Sequence, residues 1–311
     1  MSANDARDIH PEIAFTSFAY GFSRNLGDHL QSFAAEQFLP RIDGHIDRES
    51  MRDFSPADAR PHLLLMNGWF AHAPEKCLPA ARAILPVFVG FHMTEWDRAR
   101  RVFSTPDCLA YFKRHEPIGC RDRSTAEALE TLGVATHYTM CLTLTFPRRA
   151  KAPRDPRTLI VDADHLPIPE SIRQEAVVLT HEIPYRLSED HKRAIARSRL
   201  DLYRDRAERV ITTRLHCALP CLAMGIPVVF FGNPRDARFS ILHDLGVPIY
   251  SNINRSNERS ALRLLREVCW TPEVLDVEDV KRTLRGWTEV RIAERIAAAA
   301  TCKAIDGASD D

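Results

Sequence analysis

Apolar residues in this chain come in short blocks and do not alternate with polar ones. Runs at 13–20, 62–66, 84–91 and 117–120, each bounded by turn residues, predict strands, and the stretches between them carry helical spacing. That order is the grammar of β-α-β units. After Gly27 and Asp28, the residues Leu30, Phe33, Ala34 and Phe38 fall on one face, so the first helix is predicted over 30–39. Ser124-Thr125-Ala126-Glu127 fits a capping box, in which the serine oxygen accepts from the third helical N–H while the glutamate reaches back. With Gly133 as a left-handed stop, a helix is predicted over 124–132.

A polar segment rich in Pro and Arg, 147–156, interrupts this pattern and reads as an interdomain linker, because it has little to bury and its prolines fix several φ angles. Strands are then predicted at 157–161, 176–180, 209–213 and 226–231. A helix is expected from about Ser188 to Arg206, an apolar one after 213, and a last one from about Val277 to Cys302. Strands of this kind, flanked by helices, imply parallel sheets covered on both faces. The expected fold class is therefore α/β, with two Rossmann-like domains, 1–150 and 157–311, facing a cleft. The last helix is free to pack back on the first domain.

Composition narrows the function. The 311 residues are 45% apolar and 27% charged, which excludes a disordered, fibrous or disulfide-scaffold chain. Forty-two cations cancel 42 anions, so no net field favours nucleic acid or an anionic membrane, and any anion must be met locally. Of those cations, 36 are Arg and 6 Lys, which makes Arg the residue at hand for anion recognition. Met1 to Asp5 lacks the charged-then-apolar layout of a secretory signal, so a cytoplasmic protein is expected. The longest apolar run, 217–232, has 16 residues broken by Pro220, Gly225 and Pro227, whereas a membrane span needs about 20. Eight cysteines without a C-x-x-C pair are expected as free, mostly buried thiols. His216, Cys217 and Cys221 lack the second ligand pair of a structural zinc site, so no metal is expected.

Ligands of open α/β sheets bind beyond the strand C-termini, where helix N-termini present free N–H groups. Four segments occupy such positions. The first, Ser23 to His29, contains Gly27 and Asp28; a single glycine there serves equally a phosphate turn or a plain strand-to-helix connection. The second, Cys120-Arg121-Asp122-Arg123-Ser124, aims Arg121 at the crevice unless it pairs with Asp122 or another acid. In the third, Pro220 requires the helix to begin near His216 or Cys217, which leaves Pro220 in the first turn and Arg214 and His216 at the helix mouth. Arg214 can fork onto phosphate or carboxylate, and His216 can exchange a proton near neutral pH, unless it merely packs beside the helix. The fourth, Asn233 to Arg238, brings Arg235 and Arg238 towards the same crevice.

These blocks resemble the polysaccharide pyruvyl transferase family. The similarity lies in Gly27-Asp28-x-Leu30-Gln31, in Ile118-Gly119-Cys120-Arg121-Asp122-x-Ser124-Thr125, and above all in Val210-Ile211-Thr212-Thr213-Arg214-Leu215-His216 followed by Ala223-Met224-Gly225-Ile226-Pro227. The resemblance implies a glycosyltransferase-B-like fold that uses phosphoenolpyruvate as donor substrate, without a cofactor, and a sugar diol of a glycan or lipid-linked oligosaccharide as acceptor. It assigns catalysis to Arg121, Arg214 and His216. Gly27, Asp28, Asp122, Ser124, Cys217, Asn233, Arg235 and Arg238 are the associated substrate-binding candidates, with Asn67 and Trp69 for the sugar. Family members often have Gly where this chain has Cys217, and many carry an Asp where it reads Met140-Cys141-Leu142-Thr143. The alternative for this segment, which residue type favours, is that Trp69 and Phe70 are core. No nucleic-acid partner is expected, and no membrane contact beyond peripheral association through the acceptor. Two alternatives remain open: a nucleotide-sugar glycosyltransferase of the same fold, or an inactive glycan-binding relative.

Overall fold

The structure, a computed structural model, describes residues 10–93, 97–251 and 258–307; Met1 to Asp5 lie outside them. In chain order the elements are β1 (Ala14–Ala19), α1 (Leu26–Glu36), β2 (Gly44–Asp47), β3 (His62–Leu65), β4 (Gly68–Trp69), α2 (Pro74–Cys77), β5 (Ile84–Val87) and β6 (Phe91–His92). Then come α3 (Asp97–Phe103), α4 (Pro106–Arg114), β7 (Ile118–Cys120), α5 (Arg123–Thr131), β8 (Thr136–Tyr138), β9 (Arg157–Val161), α6 (Glu170–Arg173), β10 (Val177–Leu179), α7 (Glu189–Arg206) and β11 (Ala207–Thr212). The chain continues through α8 (Leu215–Ala223), β12 (Val228–Gly232), α9 (Ser240–Asp244), β13 (Ile249–Ser251), α10 (Glu258–Glu267) and α11 (Glu278–Gly307). All strand pairs of these sheets are parallel, as the unbroken apolar runs require.

Two compact units result. The first holds the chain up to Tyr20, Ser32–Leu142 and the chain from Thr283 on; the second holds Gly21–Gln31 and Thr143–Arg282. The segment 147–156 contains no helix or strand and lies within the second unit. Helix α1 therefore starts in one unit and ends in the other, as does α11.

The first unit carries the strand orders β2-β1-β3-β5 and β4-β6-β7-β8. Hydrogen bonds from Met66 N to Val87 O (2.8 Å) and Gly68 N to Gly90 O (3.3 Å) carry the pairing across the breaks at Asn67 and Gly90. The single strand expected over 84–91 is thus two strands, because Gly90 takes φ +67° and turns the chain between them. A side chain at Gly90 would collide with Asn67 Oδ1, and Asn67 is itself buried in the break. Phe70 joins Phe18, Phe88, Phe91 and Phe112 in the core, while Trp69 packs partly buried against it and faces His72 at 4.4 Å between ring centroids.

The second unit is one five-stranded sheet of order β10-β9-β11-β12-β13. Chain order reverses beside β9, since β10 returns on one side of it and β11 on the other. The crevice of such a sheet opens at that switch, between the C-terminal ends of β9 and β11. In register, Thr212 pairs with Val161, so residues 162 and 213 leave the sheet side by side. Helix α8 is buried along nearly its whole length, as its apolar sequence demands. It begins at Leu215, one residue earlier than expected, and Pro220 sits in its second turn, not its first. Arg214 O accepts from both Cys217 N and Ala218 N (3.0 Å each), a tight first turn, and Pro220 has no N–H to donate to His216 O. No helix among the described residues is long and apolar enough to cross a membrane.

Candidate functional site

At the switch point, the chain leaving β9 places Asp162 at φ +50°, a left-handed conformation that Asp and Asn tolerate better than most residues. Its carboxylate is a hub. Oδ1 accepts from Thr180 Oγ1 (2.6 Å), and Oδ2 accepts from His181 N (2.9 Å) and Arg214 Nε (2.8 Å). Burial opposes ionisation, but the Thr180 hydroxyl, the His181 N–H and the Arg214 guanidinium outweigh it and hold this carboxyl below the usual range. Thr213 Oγ1 donates to Asp162 O (2.9 Å), and Arg214 N donates to Thr212 Oγ1 (3.0 Å), so the chain leaving β11 is pinned to that leaving β9. Arg214, N-cap of α8, keeps its guanidinium partly in solvent, and its outer nitrogen lies 3.6 Å from Glu182 Oε1. His216, in the first turn of α8, is half-buried.

The segment 21–31, though close to the N-terminus, is built into this unit by contacts on both sides. Asn25 and Glu182 form an antiparallel bridge, Leu26 N donates to His181 O (2.8 Å), and Ile183 N donates to Arg24 O (2.8 Å). Buried Lys192 of α7 donates to Gly21 O (2.8 Å), and His29 Nε2 lies 3.1 Å from Glu189 Oε1. Asn25 Oδ1 accepts from Gly27 N (3.1 Å) and so starts α1 at Leu26, four residues before the helix expected from spacing. Asp28, also buried, accepts from Ser23 Oγ (2.6 Å) and braces the turn. A Cβ on Gly27 would fall 3.0 Å from His216 Cβ. The Gly-Asp turn and the Arg-Leu-His block, far apart in sequence, therefore meet backbone against side chain.

The other residues of this unit are placed differently. Cys217 is fully buried, and its thiol donates to Tyr203 Oη (3.4 Å), which also shares a 2.6 Å hydrogen bond with His181 Nε2. Burial pushes the Tyr203 phenol well up. Asn233 and Arg235 are exposed, with Arg235 N donating to Asn233 Oδ1 (3.0 Å), and Arg238 grips Asp236 with both Nε (2.9 Å) and its outer nitrogen (2.6 Å). Cys77, Cys108, Cys120, Cys141, Cys217 and Cys221 are buried free thiols and Cys269 an exposed one. Among the described residues no His, Cys, Asp or Glu cluster is placed to hold a metal ion.

In the first unit, Arg121 and Asp122 leave β7 and both are buried. Asp122 caps α5: its Oδ1 accepts from Thr125 N (3.0 Å), Thr125 Oγ1 (2.8 Å) and Ser124 Oγ (2.9 Å). The cap is thus Asp122 and not Ser124, since the helix starts at Arg123 and the carboxylate stands at the position that faces the free N–H groups. Oδ2 meets His92 Nδ1 at 2.5 Å and lies 3.7 Å from Arg121 Nε. Burial works against ionisation of Asp122, but His92, Arg121 and Thr125 together hold its carboxyl far below the usual range. Spacing gave no sign of His92. It ends β6 and is the neighbour of Arg121 across the Phe91–Cys120 pair, so the strand-end rule that singled out Arg121 also points to it.

A model of the family described as polysaccharide pyruvyl transferase matches residues 25–235. No curated protein matches the chain. Two solved structures are similar to it at 11% identity. One is WaaG, a glycosyltransferase involved in lipopolysaccharide biosynthesis, with TM-score 0.33 over 93% of this chain and 95% of that one. The other is the glycotransferase of kitacinnamycin, with TM-score 0.30 over 94% of this chain and 98% of that one.

Proposed function

The chain belongs to the polysaccharide pyruvyl transferase family, and on that premise we propose that it moves the pyruvyl group of phosphoenolpyruvate onto a sugar diol as a cyclic ketal and releases phosphate. The observation that carries the reading is the close approach of His216 to the Gly27 turn, with Arg214 two residues away held on Asp162 at the switch point of the second unit. Protonation of donor C3 makes C2 an oxocarbenium-like electrophile. One sugar hydroxyl adds to C2 and loses its proton; a second hydroxyl then displaces phosphate, whose leaving oxygen is neutralised. In this reading Arg214 binds the carboxylate or phosphate as a planar fork, and His216 delivers or takes the proton. Each role is worth about two to four powers of ten in rate. Arg121 enters only through the resemblance, on the first unit. The steps need proton transfer and charge neutralisation, for which this chain's own residues suffice, so no cofactor is assigned.

The test is incubation with phosphoenolpyruvate and candidate glycans. Phosphate release coupled to an acceptor mass gain of pyruvate minus water supports the reading. Transfer from a nucleotide sugar without any reaction of phosphoenolpyruvate overturns it.

A further inference from the structure

Two carboxylates share the Arg214 guanidinium, and they are held very differently. Asp162 is 15% exposed at its side chain and contacts Arg214 Nε at 2.8 Å, with both oxygens occupied by Thr180 and His181 as well. Glu182 is 61% exposed, touches Arg214 only at 3.6 Å, and stands 3.8 Å from the equally exposed Arg24. Resting on the function proposed above, we propose that Asp162 is the positioning residue that aims Arg214, and that Glu182 is a resident anion which the donor's phosphate or carboxylate displaces.

Charge favours this division. Arg214 and Arg24 together only balance Asp162 and Glu182, so the Arg214 guanidinium gains an anion of its own only when one of its two carboxylates moves away. Asp162 cannot leave: its backbone sits in the left-handed region, its carboxylate takes three hydrogen bonds, and its carbonyl takes a fourth from Thr213. With Nε held by Asp162, the terminal nitrogens are left for another anion, and one of them lies 3.6 Å from Glu182 Oε1. Glu182 can leave at little cost, since exposed pairs at such distances contribute little and are screened. Its backbone stays in place through the bridge to Asn25 and the donation of Glu182 N to Thr180 Oγ1 (2.9 Å), so only the side chain moves.

The two substitutions should act in opposite directions. Asp162→Asn keeps a side chain that tolerates the left-handed backbone but loses the charge; it should weaken inorganic phosphate and raise the KM for phosphoenolpyruvate about tenfold with kcat within about threefold, as expected when a charged hydrogen bond that orients a ligand is lost. In an Arg214→Lys background the same change should cost less than about twofold, because the group it aims is gone. Glu182→Gln should tighten phosphate and lower the donor KM by about two- to fivefold at low salt, and the gain should fade at about 1 M salt, where screening reaches about 3 Å. An Asp162→Asn protein that melts normally with unchanged phosphate affinity, or a Glu182→Gln protein that binds phosphate more weakly, overturns the inference. If the wild type never consumes phosphoenolpyruvate yet phosphate affinity moves as stated, the proposed function falls and the inference stands. Turnover by the wild type with neither variant altered gives the reverse.

Discussion

Gly27→Ala isolates the close approach between the Gly27 turn and His216 in the candidate site. The added methyl would lie 3.0 Å from His216 Cβ and 3.1 Å from Asn25 Oδ1. Carbon atoms in contact rest about 3.5–4.0 Å apart, so His216 or the turn must yield by about 0.5 Å or more. Gly27 is the second residue of α1 with an ordinary φ, so alanine also stabilises the helix by about 0.5–1 kcal/mol. Overpacking costs about 1–3 kcal/mol, which leaves a net loss of about 0–2.5 kcal/mol and a modest drop in Tm. Turnover should suffer more, by about tenfold to a hundredfold, because displacing a reacting group by about 1 Å is worth about two powers of ten. Gly286→Ala is the control: nothing stands within 4 Å of its Cβ position inside α11, so it should gain about 0.5–1 kcal/mol and leave activity alone. The assay is phosphate release per folded molecule together with a melt for each variant. A Gly27→Ala protein that melts above the wild type and turns over at full rate would show that the close approach to His216 has no part in catalysis.

His216→Gln should keep donor affinity within several-fold and lose about a hundredfold or more in turnover, whereas Arg214→Lys should weaken donor affinity, as steady-state kinetics will show. Lower melting with intact turnover in His216→Gln would reduce that residue to packing. Asp122 has a folded-state pKa below its unfolded value, so its stabilisation is full above about pH 4 and is lost as pH falls further. Asp122→Asn should therefore lower Tm at pH 7 and flatten the fall in Tm between about pH 4 and pH 2, and an unchanged acid limb would contradict the His92–Asp122–Arg121 account. Phosphoenolpyruvate should raise Tm while nucleotide sugars do not, the stabilisation reaching about 2.7 kcal/mol at a hundredfold excess over Kd. Activity should persist in chelator; complete loss, restored by a divalent ion, would contradict the proposed chemistry.

Much of the second unit was legible because its signals are local. The observed β9 at Arg157–Val161, α7 from its Ser188 cap to Arg206, and β12 at Val228–Gly232 lie within two residues of their expected bounds. Each depends on apolar length, a capping residue or a charged terminus. The misplaced boundaries depend on partners distant in sequence. Helix α1 starts early because Asn25 caps it while 21–31 is tied to 181–183, and the strand through 84–91 breaks where Gly90 makes room for Asn67. Asp122 displaced Ser124 as cap because a carboxylate that also binds His92 and Arg121 gains from four directions, and no local pattern contains His92.

Asp162 illustrates what stayed hidden and why. It is simply the first polar residue after an apolar strand, and such a residue matters only if its strand stands beside the reversal of chain order. That position follows from β10 pairing outside β9, which apolar periodicity cannot specify. Once the order is known, the segment after β10 takes on a defined purpose. His181 accepts from Leu26 N through its carbonyl, donates through its own N–H to Asp162, and shares a hydrogen bond with Tyr203 through its ring. Glu182 beside it bridges to Asn25 and faces Arg214. Two consecutive residues therefore couple the Gly-Asp turn to the guanidinium, so a shift of this segment would move both halves of the candidate site together, although no local sequence pattern marks either residue as functional.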